Sequence, residues 1–268
     1  MQASDKAYPP WRMAALLALC VAFPWVHPFS WGPNPDMLQR LVTAGCSAAF
    51  LLCWAAGARF GSLHTLARTV AAAWLAAALL SCAMALVQYF GAVDGALADW
   101  ITRTDTGTAF ANLRQRNQFA SLTSLGLVAL LGWVAARAKA QHMTRGCWAL
   151  AVVLLNVLAA GVACSVSRTG AMQWALVGVL MAAWGWRSAQ QDAAVGKGLV
   201  RLALAAPVLV AVWSVLMPLL ALHITGDQGA SMILRVTGQA QDYAACGGRR
   251  VLWTNVLALV AQHPWLGW

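Results

Sequence analysis

The chain has 268 residues, of which 61% are hydrophobic and only 10% charged, with a net charge of +10. So few charges exclude an ordinary soluble domain, and a basic excess distributed between membrane loops does not by itself point to nucleic acid. All eight acidic residues are Asp, which removes the paired glutamates of a di-metal helical bundle.

In chain order, uncharged runs cover 13–35, 41–58, 69–93, 117–136, 146–167, 169–186 and 202–226. Each approaches the roughly 20 residues that a helix needs to cross the hydrocarbon core. The reading is therefore an all-α, polytopic integral membrane protein. Seven spans are expected, near 13–29, 38–57, 69–90, 118–136, 147–163, 170–186 and 202–222, forming one bundle over 1–222. Residues 223–268 are expected to begin a loop region outside it. The first run is expected to stay as an anchor: Pro24 interrupts it, and no convincing small-residue cleavage site precedes Ser30.

Loops 58–68, 137–146 and 187–201 are short and basic, and with the N-terminus they hold all three lysines, Lys6, Lys139 and Lys197. The positive-inside bias therefore predicts a cytoplasmic N-terminus. The other side carries a longer loop from about Gly91 to Arg116 and the tail from His223, both rich in Arg, Asp, Gln and Asn. Trp11, Trp25, Trp54, Trp148, Trp184 and Trp186 gather near expected helix ends, as an aromatic belt does, whereas Trp74 and Trp213 fall deeper. Asn156 and Gln173 lie within spans, where an interhelical hydrogen bond is the simplest use for them. The seven cysteines form no CxxC pair and read as small packing residues.

Three constellations fall on the outward side. NLRQRNQFASL, residues 112–122, brings Arg114, Gln115, Arg116, Asn117 and Gln118 to the start of the fourth span. These guanidiniums and amides can donate to phosphate or sugar oxygens, or simply cap a helix with snorkelling arginines. SVSRTG, residues 165–170, contains Arg168, the only charge between Arg145 and Arg187. It is either an interfacial anchor or a phosphate hook. RRVLWTNVLALVAQHPWLGW, residues 249–268, sets Arg250 and Trp253 one helical turn apart on an expected interfacial or re-entrant helix. Arginines gathered on one face at headgroup level suit a lipid-linked diphosphate, because guanidinium binds phosphate oxygens bidentately and stays charged.

These three motifs resemble those of the O-antigen ligase-like superfamily, and most closely its PglL-type bacterial protein (pilin) O-oligosaccharyltransferases, over roughly His27 to Trp268. The resemblance implies transfer of a preassembled oligosaccharide from undecaprenyl diphosphate to Ser or Thr hydroxyls of exported, pilin-like proteins. The setting would be the periplasmic face of a bacterial inner membrane, with no metal and no cofactor. It further implies that Arg168 and Arg250 bind the donor diphosphate, and that Gln115, Asn117 and Arg116 orient donor or acceptor. The family's general-base histidine is expected beyond Trp268, so the catalytic residue is unknown here and the chain reads as truncated. Two alternatives stand beside this: an O-antigen ligase or polymerase acting on lipid A core or another glycan, and a noncatalytic membrane protein or transporter. Either way the bilayer is a partner and nucleic acid is not.

Overall fold

The computed structural model describes residues 10–28, 35–56, 63–190, 193–226, 229 and 243–262, with side chains over 12–28, 37–55, 63–190, 196–226, 229 and 251–262. The described residues form helices and no strand: α1 Pro10–Val26, α2 Pro35–Ala56, α3 Leu63–Tyr89, α4 Arg116–Lys139, α5 Arg145–Cys164, α6 Arg168–Ala189, α7 Ala193–Thr225 and α8 Tyr243–Gln262. A 3-10 turn, Gly95–Asp99, interrupts the loop between α3 and α4. Each of the seven uncharged runs thus corresponds to a helix. Among the described residues, five helices are long and apolar enough to cross a membrane: those at Met37–Ala55, Leu63–Tyr89, Arg116–Lys139, Arg145–Cys164 and Gly196–Thr225. The protein is accordingly an all-helical, multi-pass membrane protein.

α4 is the most enclosed of these, packed against α3, α5, α6 and α7. Its buried residues, among them Phe119, Leu122, Leu127, Leu130, Leu131 and Val134, form a broad face rather than a narrow stripe and leave Ser121, Leu125, Val128, Gly132 and Ala136 on the less buried side. α3 buries small residues spaced three or four apart, Ala78, Cys82 and Ala85, with Ala78 against Gly126 of α4 and Cys82 against Gly161 of α5, and such residues let backbones approach where lipid supplies no hydrophobic drive. Gly161 of α5 shows how close the approach is. A Cβ there would lie 2.9 Å from the Cys82 Cβ and nearer still to its sulfur.

α7 is 33 residues long with Pro207 and Pro218 inside it. Pro207 has no N–H for the Ala203 carbonyl, and that carbonyl faces Gly178 of α6, where a Cβ would stand 2.8 Å away. The mid-span amides are used between helices, as their positions suggest. Trp213 donates to Asn156 Oδ1 at 3.3 Å, joining α7 to α5. Gln173 donates to Ser121 Oγ at 3.2 Å and accepts from Ser124 Oγ at 3.3 Å, joining α6 to α4.

Trp54, Trp184 and Trp186 are exposed near helix ends, while Trp74 and Trp213 are half-buried. All described side chains of α8, residues 251–262, are exposed, including Trp253, Leu257 and Val260.

Candidate functional site at the α4 and α6 N-termini

The end of α3, the start of α4, the end of α5 and the start of α6 share one end of the bundle. The long loop from Phe90 to Gln115 covers it and is fixed by two buried amides. Gln88, near the end of α3, donates to the carbonyls of Thr102 at 2.6 Å and Ala111 at 2.8 Å, and accepts from the Phe110 and Ala111 amides at 3.1 and 2.7 Å. Asn112 donates to the carbonyls of Val26 at 3.1 Å and Trp100 at 2.8 Å, and accepts from the Thr102 amide at 3.0 Å. Both side chains use their full donor capacity on backbone carbonyls. Main-chain bonds complete the attachment, from the Gly107 amide to the Tyr89 carbonyl and from the Ala109 amide to the Cys164 carbonyl.

The loop delivers the chain into α4 through two left-handed non-glycine residues, Ala111 at φ 53° and Arg114 at φ 55°. Val166, in the turn between α5 and α6, is a third, at φ 50°. That conformation is costly for a β-branched residue and persists only where surrounding contacts hold it. Here Val166 is buried, its neighbour Ser165 donates to the Val162 carbonyl, and the Ser167 amide returns to Ser165 Oγ.

These two entries start α4 and α6 side by side. Ser167 caps α6 by accepting from the Gly170 amide at 3.2 Å, and its hydroxyl donates to Asn117 Oδ1 at 2.9 Å. One turn further along, Gln173 meets Ser121 and Ser124, while the Trp174 indole donates to Thr123 Oγ1 at 3.3 Å. The matched order of contacts makes the two helices parallel. Gly170 permits the approach, since a Cβ there would lie 2.7 Å from the Ala120 Cβ.

Arg116 is consequently the first residue of α4 and Arg168 the first of α6, both half-buried. Neither first turn contains an acidic residue, and Gln115, at the N-cap of α4, makes no side-chain capping bond. Two helix N-termini therefore present partial positive charge and amide donors beside two guanidiniums. Arg114, Gln115, Asn117 and Gln118 are exposed at the same end.

The sequence motifs are sorted differently by the fold. Arg116, Asn117 and Arg168 come together around the Ser167 bond, with Gln115 at the adjoining cap. Asn112, from the same motif as Arg116, faces inward and holds the loop. His27 is buried after the last turn of α1, its ring centroid 5.8 Å from that of Phe23. Arg250 falls within α8, but its side chain and the HPWLGW segment from His263 lie outside the described residues. Gln88 was missed in the motifs, although a single amide at the end of an apolar run is a signal for a buried polar tie.

Residues 109–135 match the family model described as protein glycosylation ligase. The matched stretch begins in the loop held by Gln88, contains Arg114 to Gln118 and runs down the central helix α4. It supports the resemblance to the O-antigen ligase-like superfamily and a glycosylation ligase function, with glycan, protein and bilayer as the general classes of partner. No curated protein and no solved structure matches the chain.

Proposed function

We propose that this chain belongs to the machinery of lipid-linked oligosaccharide transfer to protein, with the paired N-termini of α4 and α6 as its donor diphosphate site. The observation that carries this reading is the parallel pairing of two arginine-headed, acid-free helix starts through Ser167 and Asn117. It falls partly within the segment matched by the glycosylation ligase family.

The donor is undecaprenyl-diphosphate-linked oligosaccharide, and the acceptor is a Ser or Thr hydroxyl of an exported, pilin-like protein. Glycosyl transfer breaks the bond between the anomeric carbon and the diphosphate oxygen, so negative charge grows on the leaving diphosphate. Cations and amide dipoles already oriented toward it stabilise that charge more than they stabilise the ground state. Arg168, at the head of α6, and Arg250 are the diphosphate ligands in this reading. Gln115, Asn117 and Arg116 orient donor or acceptor oxygens at the start of α4.

The topology that goes with this function has seven spans, with the N-terminus cytoplasmic and the diphosphate site on the periplasmic face of the inner membrane. Asn156 and Gln173 are engaged between helices, so they give little support to a polar transport path at mid-membrane.

The test pairs binding with transfer. The purified chain should bind a polyprenyl diphosphate more tightly than the matching monophosphate. Cells supplied with the lipid-linked glycan, an exported acceptor and a version of the chain that also carries the general-base histidine loop should yield glycosylated acceptor. Undiminished binding and transfer after Arg168→Ala would remove Arg168 from the site. A glycan mass found on lipid A core instead of protein would redirect the acceptor assignment.

A further inference from the structure

At the other end of α6, roughly 30 Å along the helix from Arg168 by its rise per residue, the end of α6 and the beginning of α7 enclose an open groove of about 370 Å³. It is lined by Trp186, Ala189 and Gln190 from the α6 side, and by Lys197, Val200 and Arg201 from α7. The two walls are held at short range. A Cβ on Gly185 would stand 3.0 Å from Val200 Cγ2 and 3.4 Å from the Gly196 carbonyl oxygen.

Lys197 and Arg201 are exposed and four residues apart on α7, where like charges repel. An anion between them relieves that repulsion. The lining is otherwise mainly apolar, and Trp186 is 70% exposed beside it. A free phosphate would leave that apolar lining unused, whereas a phospholipid uses both parts. The position also fits, because Lys197 and Arg201 lie at the edge of the span Gly196–Thr225, where a headgroup would be.

We propose that this groove binds an anionic phospholipid of the phosphatidylglycerol class. Its phosphate lies between Lys197 and Arg201, and its glycerol backbone and first acyl carbons lie against Trp186 and Val200. Basic pockets between membrane helices recognise anionic headgroups in this way. The site is separate from the diphosphate site at the opposite end and does not depend on it.

The experiment is native mass spectrometry of the full chain after incubation with equimolar phosphatidylglycerol and phosphatidylcholine. The wild type should retain phosphatidylglycerol with a preference of about thirtyfold, as expected for two cations near a headgroup. Lys197→Gln with Arg201→Gln should abolish that preference. Arg137→Gln with Lys139→Gln removes the same charge from the last turn of α4, outside the groove, and should leave the preference intact. Trp186→Ala should weaken retention of both lipids. If the double variant does not fold, Arg201→Gln alone should lower the preference about fivefold. Equal preference in the wild type and the groove variants would overturn the proposal. Displacement of the lipid by millimolar inorganic phosphate would also overturn it, leaving a simple phosphate site, and displacement by an acidic peptide would make the groove a protein-docking surface.

Discussion

Ser167 donates its hydroxyl to Asn117 Oδ1 at 2.9 Å while the same oxygen accepts the Gly170 amide at 3.2 Å. One hydroxyl thus caps α6 and ties it to α4, across a separation of 50 residues in the chain. The arginines heading the two helices are placed relative to each other by this bond.

Ser167→Ala should therefore cost more than Asn117→Ala. The first loses both the cap, worth about 1 kcal/mol, and the interhelical bond, worth roughly 0.6 kcal/mol in a membrane protein. The second loses only the interhelical bond. A double-mutant cycle on thermal unfolding measures the coupling. A coupling near zero would mean that the bond does not hold the helices together.

Arg168→Ala should weaken polyprenyl diphosphate binding by roughly tenfold to a hundredfold, the range for a lost hydrogen bond to a charged group. Arg168→Lys should recover only part of this, because an ammonium is a point charge without the bidentate fork. Isothermal titration with the diphosphate and the monophosphate checks both. Full recovery by lysine would point to a bulk electrostatic role.

Gln88→Leu should release the loop between α3 and α4 without unfolding the bundle. Its amide serves two carbonyls and two N–H groups, and each buried group left unsatisfied costs about 1–3 kcal/mol. Limited trypsin digestion should then cut faster at Arg103 and Arg114, both exposed and in this loop. Unchanged cleavage rates would show that the loop is held by its other contacts alone.

Gly161→Ala should destabilise the packing of α3 on α5, by about 1–3 kcal/mol as an overpacked core site. The new methyl meets the Cys82 side chain, 2.9 Å from its Cβ. Cys82→Gly in the same chain removes the obstacle and should restore part of the melting temperature. Failure of that rescue would place the strain elsewhere.

How far the sequence reaches is visible in individual residues. Each of the seven uncharged runs meets a helix among the described residues, and five of those helices are long and apolar enough to cross a membrane; a charge in hydrocarbon is costly locally, so this pattern is written along the chain. α7 exceeds its expected limits, 202–222, by reaching from Ala193 to Thr225. Charges near a helix end interrupt an apolar run without interrupting backbone hydrogen bonding. Arg168 reads as the tip of a turn in the sequence and is the first residue of α6 in the fold, since Ser167 takes the capping position.

What the sequence by itself determined is the membrane class, the approximate positions of the helices, and the presence of Arg116, Asn117 and Arg168 in polar stretches between apolar runs. Which of them meet was decided only by tertiary structure. Asn112 and Asn117 occur in one short motif, yet one turns inward to hold backbone carbonyls and the other turns toward Ser167. Gln88, unremarkable in an apolar run, fixes the loop above them. The physical reason is range: apolar length is a local property, whereas the partner of a polar side chain depends on the rotation and approach of helices far apart in the chain.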